Sequence, residues 1–265
     1  MKARQRNVLI AVFLVFAGAA IAAYVNRWPS RMFPHQGKVI RMAFGLGLAP
    51  YVMADSATGF QLDIIREALA MSGHTLQPQF VPLAHVPNLL KTGQVDAAER
   101  GSPELVEGQG VYYAKKKSVE YADFAITLKK NNLQVNSVDD LSNLRVLAFQ
   151  KAADYLGPQY AAAVARNSRY TETSDQKRQA LMLYSGGVDV VISDHNIFKY
   201  FAQQVGKQVD VTQEVVYHRV FNPPMKIYNS EAFVDPRVRD DYDEALEKLK
   251  ASGRVAQLMK LYITR

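Results

Sequence analysis

Apolar positions fall into short continuous runs and helix-spaced stripes that alternate along most of the chain. "KVIRMAFG" reads as a buried strand, followed by "GFQLDIIREALAMSG" with Leu62, Ile65 and Leu69 at helical spacing and Gly73 at its end. "TLQPQFVPL" then predicts a strand, "VPNLLKTG" a helix closing at Gly93, and "VDAAE" a strand. Strand–helix–strand–helix–strand is the pattern of an α/β layer with a largely parallel sheet. The pattern restarts: "LRVLAFQ" predicts a strand, "YLGPQYAAAVAR" one helix, and "RYTET" a strand. "DQKRQALMLYSG" follows as a helix, "VDVVISD" as a strand and "NIFKYFAQQV" as a helix.

Two stretches are near copies. Thr92–Ala98 reads "TGQVDAA" and Ser185–Val191 reads "SGGVDVV". Each follows a Leu-containing helical run and opens a buried strand. Glycine suits the helix end, where φ is positive, and the aspartate is expected to cap or salt-bridge locally. The repeat therefore marks one helix–turn–strand unit written into two lobes. "EYADFAITLKKNN" crosses between them, and the segment from Arg219 to the end crosses back, closing with helices near Pro236–Ala251 and Gly253–Tyr262. The expected organisation is a first lobe of residues 38–126 plus 222–265 and a second of 127–221. A two-strand hinge joins them, and a ligand cleft lies between them.

The N-terminus is of a different kind. "MKARQRN" is basic and Val8–Val25 is apolar, with Ala20-Ile21-Ala22 matching a small-x-small cleavage pattern. Residues 1–25 are expected to be a cleaved signal peptide, with a retained membrane anchor as the second reading. Residues 26–37, with two prolines, read as a tether. Either reading exports the rest of the chain, and the periplasm is the expected location.

The formal charge of the 265 residues is +7, and Lys2, Arg4 and Arg6 contribute three of those charges. The remaining bias is mild. Lys115-Lys116-Lys117 beside Tyr112 and Tyr113 reads as a solvated loop rather than a nucleic-acid site, so no nucleic-acid partner is expected. Absence of cysteine excludes thiolate chemistry and a lipidated N-terminal cysteine. The five histidines lack metal-ligand spacing, and "GLGLAP" lacks the third glycine of a dinucleotide loop. No metal or cofactor is expected.

Ligands of open α/β sheets bind beyond the carboxyl ends of the strands. There the repeat places Glu99 and Arg100 in one lobe, and Ser193 and Asp194 in the other. An arginine suits a carboxylate and an aspartate an ammonium, so a zwitterion could bridge the lobes. Two plainer roles stay open. Arg100 could pair with Glu99, Glu104 or Glu107, and Asp194 could cap the helix that follows it.

The pieces "APYVMADSATGFQLDIIREAL", "LLKTGQVDAAE", "FAITLKKNN", "DDLSNLRVLAFQKA", "LYSGGVDVVISD" and "LEKLKASGRVAQLMKLY" occur in the order and spacing of a known family. From Lys38 to Ile263 the chain resembles the bacterial extracellular solute-binding proteins, family 3, of amino-acid ABC importers. The resemblance implies a type II periplasmic binding protein fold. It implies an aromatic platform at Tyr51 after Pro50, a mainly structural Thr58-Gly59-Phe60-x-x-Asp63 element, and an ammonium-binding acid at Asp194. The departures are specific. Leu48 stands where an aromatic is common, "GSPELVEG" with Ser102 and Leu105 replaces Thr-Pro-Glu-Arg, and Ala152-Ala153 replaces Gly-Thr or Gly-Ser after Gln150-Lys151. Arg100 is then the substitute carboxylate partner, and the backbone N–H groups at Lys151 and Ala152 a remaining anion site.

The expected function is non-enzymatic capture of a small polar solute, an amino acid or related carboxylate, for an ABC permease. The chain is expected to act as a monomer. The alternatives are a membrane-anchored ligand-sensing module, and an enzyme resembling the cyclohexadienyl dehydratases of this fold, for which His195 beside Asp194 is the candidate base.

Overall fold

The computed structural model describes residues 37–221 and 230–263. Residues 1–36, which hold the expected signal or anchor and all of the tether but its last residue, and the expected return at residue 222, lie outside the described residues. Among the described residues no helix is long and apolar enough to cross a membrane.

Two five-stranded mixed sheets form the frame. The first contains β1 (Val39–Gly45), β2 (Thr75–Val81), β3 (Ala97–Ala98), β4 (Tyr112–Tyr113) and β10 (Ala232–Phe233), in the order β2-β1-β3-β10-β4. The second contains β5 (Asp123–Leu128), β6 (Val146–Phe149), β7 (Tyr170–Thr173), β8 (Val190–Asp194) and β9 (Val215–His218), in the order β7-β6-β8-β5-β9. Each sheet has a parallel trio, β2-β1-β3 or β7-β6-β8. Each then adds an antiparallel strand, β10 beside β3 and β5 beside β8. The sheets are thus less parallel than the sequence pattern predicts, because the fourth strand of each follows a crossing and runs the other way. The first crossing falls between Tyr113 and Asp123, ahead of the expected 126/127 boundary.

The helices follow the apolar stripes. α1 (Phe60–Met71) buries Leu62, Ile65 and Leu69, and α2 (Val86–Lys91) ends before Gly93. The helix predicted from Tyr155 starts instead at Pro158, as α4 (Pro158–Ala165), and a short separate helix, α3 (Ala152–Tyr155), precedes it. Gly157, at φ 93°, and Pro158 separate the two, because proline cannot donate to the preceding turn. α5 (Gln176–Tyr184) and α6 (His195–Val205) flank the second sheet, and α7 (Pro236–Ala251) and α8 (Arg254–Tyr262) return to pack on α1.

The two near copies are the same clamp. Asp96 accepts from the Arg41 backbone N–H (2.9 Å), Nε (2.9 Å) and Nη2 (2.8 Å), while Nη2 also donates to the Gly93 carbonyl. Asp189 accepts from the Arg145 backbone N–H (2.8 Å) and Nη2 (2.6 Å), and Arg145 Nη1 donates to the Gly186 carbonyl. Gly93 and Gly186 have φ of 68° and 75°, which side chains rarely adopt. Each aspartate ties the turn to an arginine, Arg41 within β1 and Arg145 just before β6.

Apolar clusters hold the lobes and also touch across the cleft. Ile197 of the second lobe packs into the cluster of Phe44, Tyr51 and Phe60, and Leu83 of the first into the cluster of Phe149 and Tyr155.

Candidate functional site

A small, partly open cavity lies where the two sheets face each other, beyond the carboxyl ends of β3 and β8. Leu48, Arg100 and Tyr121 line one side, and Asp123, Asp194 and Tyr155 the other. It holds about 30 Å³ of free space, room for roughly two waters. An amino acid therefore enters only with the lobes further apart than this.

Arg100 is 7% exposed. Its Nε donates to Glu99 Oε2 (3.3 Å), and its guanidinium carbon stands 4.4 Å from the Tyr121 ring centroid. Nη2 has no hydrogen-bond partner. Glu99 is wholly buried and also accepts from the Gly45 N–H (3.1 Å). Burial pushes its carboxyl up, and the Arg100 charge works against that shift. The plain pairing and the cleft position are thus both realised. The arginine is half satisfied by its neighbour and half presented to the cavity.

Asp194 also holds both of its candidate positions. Oδ1 accepts from the Asn196 N–H (2.8 Å) and the Ile197 N–H (3.1 Å), capping α6. Oδ2 accepts from the Ala122 N–H (2.7 Å) and the Tyr51 hydroxyl (3.4 Å). Burial raises its carboxyl even against these bonds. The long contact to Tyr51 is the one a ligand ammonium would most readily displace.

The Tyr51 ring does not line this cavity. It packs behind it, tilted against the Tyr121 ring with 4.7 Å between centroids. Its hydroxyl accepts from Asn196 Nδ2 (2.9 Å) as well as donating to Asp194, so Tyr51 is a latch between lobes. Gly59 keeps its loop in place, since a Cβ there would meet the Tyr51 carbonyl at 2.4 Å. Leu48, at the position expected to be aromatic, does reach the cavity.

The remaining predicted residues stand around the site. Ser193 Oγ donates to Gln176 Oε1 (3.1 Å), and Gln176 lines the cavity. Ser102 Oγ accepts from the Glu104 N–H (3.1 Å), a turn contact away from the cavity lining. At the start of α3 the anion position is taken by the chain itself. Glu172 accepts from the Lys151 N–H (2.7 Å) and the Ala153 N–H (3.1 Å), so a ligand carboxylate finds the Lys151 donor taken, and Ala152 between them is fully buried. The Lys151 ammonium pairs with Asp154 at 3.0 Å and reaches Glu104 of the other lobe at 4.0 Å. His195 lies against Tyr217, 4.7 Å between rings, and is not in the cavity lining. The lysine run is answered by acids: Lys115 by Asp240, Lys116 by Glu247 and Lys117 by Glu120.

Asp123, Tyr121 and Glu172 are site residues that the sequence reading passes over. Asp123 opens β5 directly opposite Asp194 in the antiparallel register. It stands on the cavity wall, and its carboxylate accepts no hydrogen bond from the other described residues. Burial and the facing Asp194 push it up to about 7, with Arg100 opposing.

No family profile matches the chain, and no curated protein matches it in sequence. Solved structures match in fold. One is a histidine kinase sensor domain similar to periplasmic binding proteins, with a TM-score of 0.68 at 16% identity over 86% of this chain and 97% of that one. Another is the GluR0 ligand-binding core in complex with L-glutamate, with a TM-score of 0.66 at 15% identity over 89% of this chain and 100% of that one. A third is the amino-acid ABC transporter substrate-binding protein AbpA from Streptococcus pneumoniae bound to L-arginine, with a TM-score of 0.64 at 17% identity over 84% and 93%. The chain therefore has the periplasmic-binding-protein fold expected of it.

Proposed function

We propose that this chain is an extracytoplasmic solute-binding protein of family 3. It captures a small polar solute of the amino-acid class by closing two lobes over it, and delivers it to an ABC permease without chemical conversion. The observation that carries this reading is the unpartnered Nη2 of buried Arg100, set on the wall of the interlobe cavity that Asp194 also lines. A buried donor without a partner is costly, and a guest carboxylate supplies an acceptor in the geometry arginine prefers. Because Arg100 and Asp194 belong to different lobes, a zwitterion touching both binds the closed state better than the open one. That difference is what drives closure.

The test is a thermal-shift screen of residues 38–265 against the amino acids and small mono- and dicarboxylates. A hit raises the melting temperature progressively with concentration. If no member of either set shifts it, the reading fails.

A second reading has one observation in its favour, the likeness to a histidine kinase sensor domain. Joined to the apolar Val8–Val25 run, it would make the chain a membrane-anchored ligand sensor. The N-terminus of the mature protein decides between them. A start near Ala23 supports the released binding protein, and a start at Met1 supports the anchored sensor.

A further inference from the structure

The charges of the cavity do not balance. Arg100 is the one cation on the wall among the described residues, and its Nε is already committed to Glu99. Asp123 and Asp194 face each other across β5 and β8 on the opposite wall. Asp194 receives three backbone N–H bonds and the Tyr51 hydroxyl. Asp123 receives none. With Glu99 ionised, Arg100 is neutralised from behind and the two aspartates leave the site doubly negative. With Glu99 protonated and both aspartates ionised the site is still negative by one charge. An anionic guest would face this field in a water-poor cavity, where Coulomb interactions are strong. A cationic guest would relieve it.

Two independent features thus point into the same space: a carboxylate with no donor, and a guanidinium nitrogen with no acceptor. We infer that Asp123 selects the charge of the guest: the cleft takes an amine-bearing amino acid of net positive charge, with ammonium against Asp123 and Asp194 and carboxylate on Arg100. This deepens the solute-capture reading and rests on it. It also narrows that reading, since carboxylates without an amine are excluded. Asp123 lies in the strand that follows the crossing between lobes, so a guest that engages it and Arg100 also fixes the hinge closed.

Three probes of similar length and graded charge test it: L-ornithine, L-glutamine and L-glutamate, titrated calorimetrically into residues 38–265 at pH 8, where Asp123 is ionised. Ornithine is expected to bind most tightly and glutamate most weakly, with about tenfold or more separating ornithine from glutamine. Asp123→Asn, which keeps shape and removes charge, is expected to erase most of that gap by weakening ornithine and not glutamine. Glutamate binding as tightly as ornithine in the unmutated protein overturns the role of Asp123 while the capture reading stands. So does an ornithine preference that survives Asp123→Asn. Binding of none of the three overturns the inference and the amino-acid reading together. The order among the probes in the unmutated protein is informative even if the variant folds poorly.

Discussion

Arg100 is held from one side only, with Glu99 at its Nε, the Tyr121 ring under its plane and nothing on Nη2. Among the described residues Arg100 is the cation paired with Glu99. Replacing Arg100 by methionine would keep much of the volume and leave a wholly buried carboxylate without its counter-charge. Breaking a buried pair in this way costs about 3–5 kcal/mol, so Arg100→Met is expected to lose that much in urea denaturation at pH 7. Adding Glu99→Gln removes the orphaned charge and should restore most of the loss. A double variant no more stable than the single would show that the pair is not the cause. The sequence shows Arg100 and Asp194 because they follow the two copies of one repeated phrase. It does not show Asp123, whose place depends on the register between β5 and β8. Nothing local in "YADF" announces an acid that will face another some seventy positions further on. Glu172 is hidden for the same reason: its partners at Lys151 and Ala153 belong to a different element.

At the scale of elements, the repeated clamp is a structural unit whose strength can be compared with itself. Asp96 and Asp189 are each held below the ordinary carboxylate range, in both cases first by the side-chain hydrogen bond to the facing arginine. Both pairs are partly exposed, so solvent screens them and their contribution is modest. Asp96→Asn and Asp189→Asn are each expected to lower the melting temperature by about 2–4 °C. The two losses should add, because the clamps lie in separate lobes and share no partner. Calorimetry of the two single variants and the double variant measures this, and a double loss far from the sum would mean the clamps are coupled through the hinge. The helices of this unit were legible because the apolar stripe and the terminal glycine coincide. β3, β4 and β10 are two residues long, too short for any alternation to be read. The break between α3 and α4 is written in Gly157-Pro158, while the alanines after it favour a helix and hide its start. The antiparallel strands could not be read, since direction in a sheet is set by where a crossing chain lands and not by its own residues.

For the whole molecule, the carboxylates fall into two groups with opposite pH behaviour. Glu99, Asp123, Asp194 and Glu231 are all pushed up, each chiefly by burial, Asp123 and Glu231 to about 7. Asp96, Asp140, Asp189 and Asp235 are all held down by hydrogen bonds at or near the surface. A group with a depressed folded value stabilises above its unfolded value and loses that contribution as pH falls through the folded one. A buried acid with a raised value does the reverse: between its unfolded and folded values the native chain holds more protons, so stability falls as pH rises through that window. The depressed surface acids act below about pH 4 and the buried, raised acids between about 4 and 7, which places maximum stability near pH 4–5 rather than at neutrality. Glu231 isolates the effect because it lies outside the ligand cavity. Ser118 and Gln61 donate to its Oε1, its Oε2 has no partner, and Tyr242 is the other titratable group against it. Glu231→Gln cannot ionise, so it is expected to be more stable than the parent at pH 8 by on the order of 3 kcal/mol and to show no advantage at pH 4.5. Urea denaturation at the two pH values decides it. A variant equally weakened at both would mean that Glu231 is held as a fully satisfied anion. The descent of stability toward neutral pH would then have to come from the cleft carboxylates alone, which a cationic guest would reverse by binding their ionised forms.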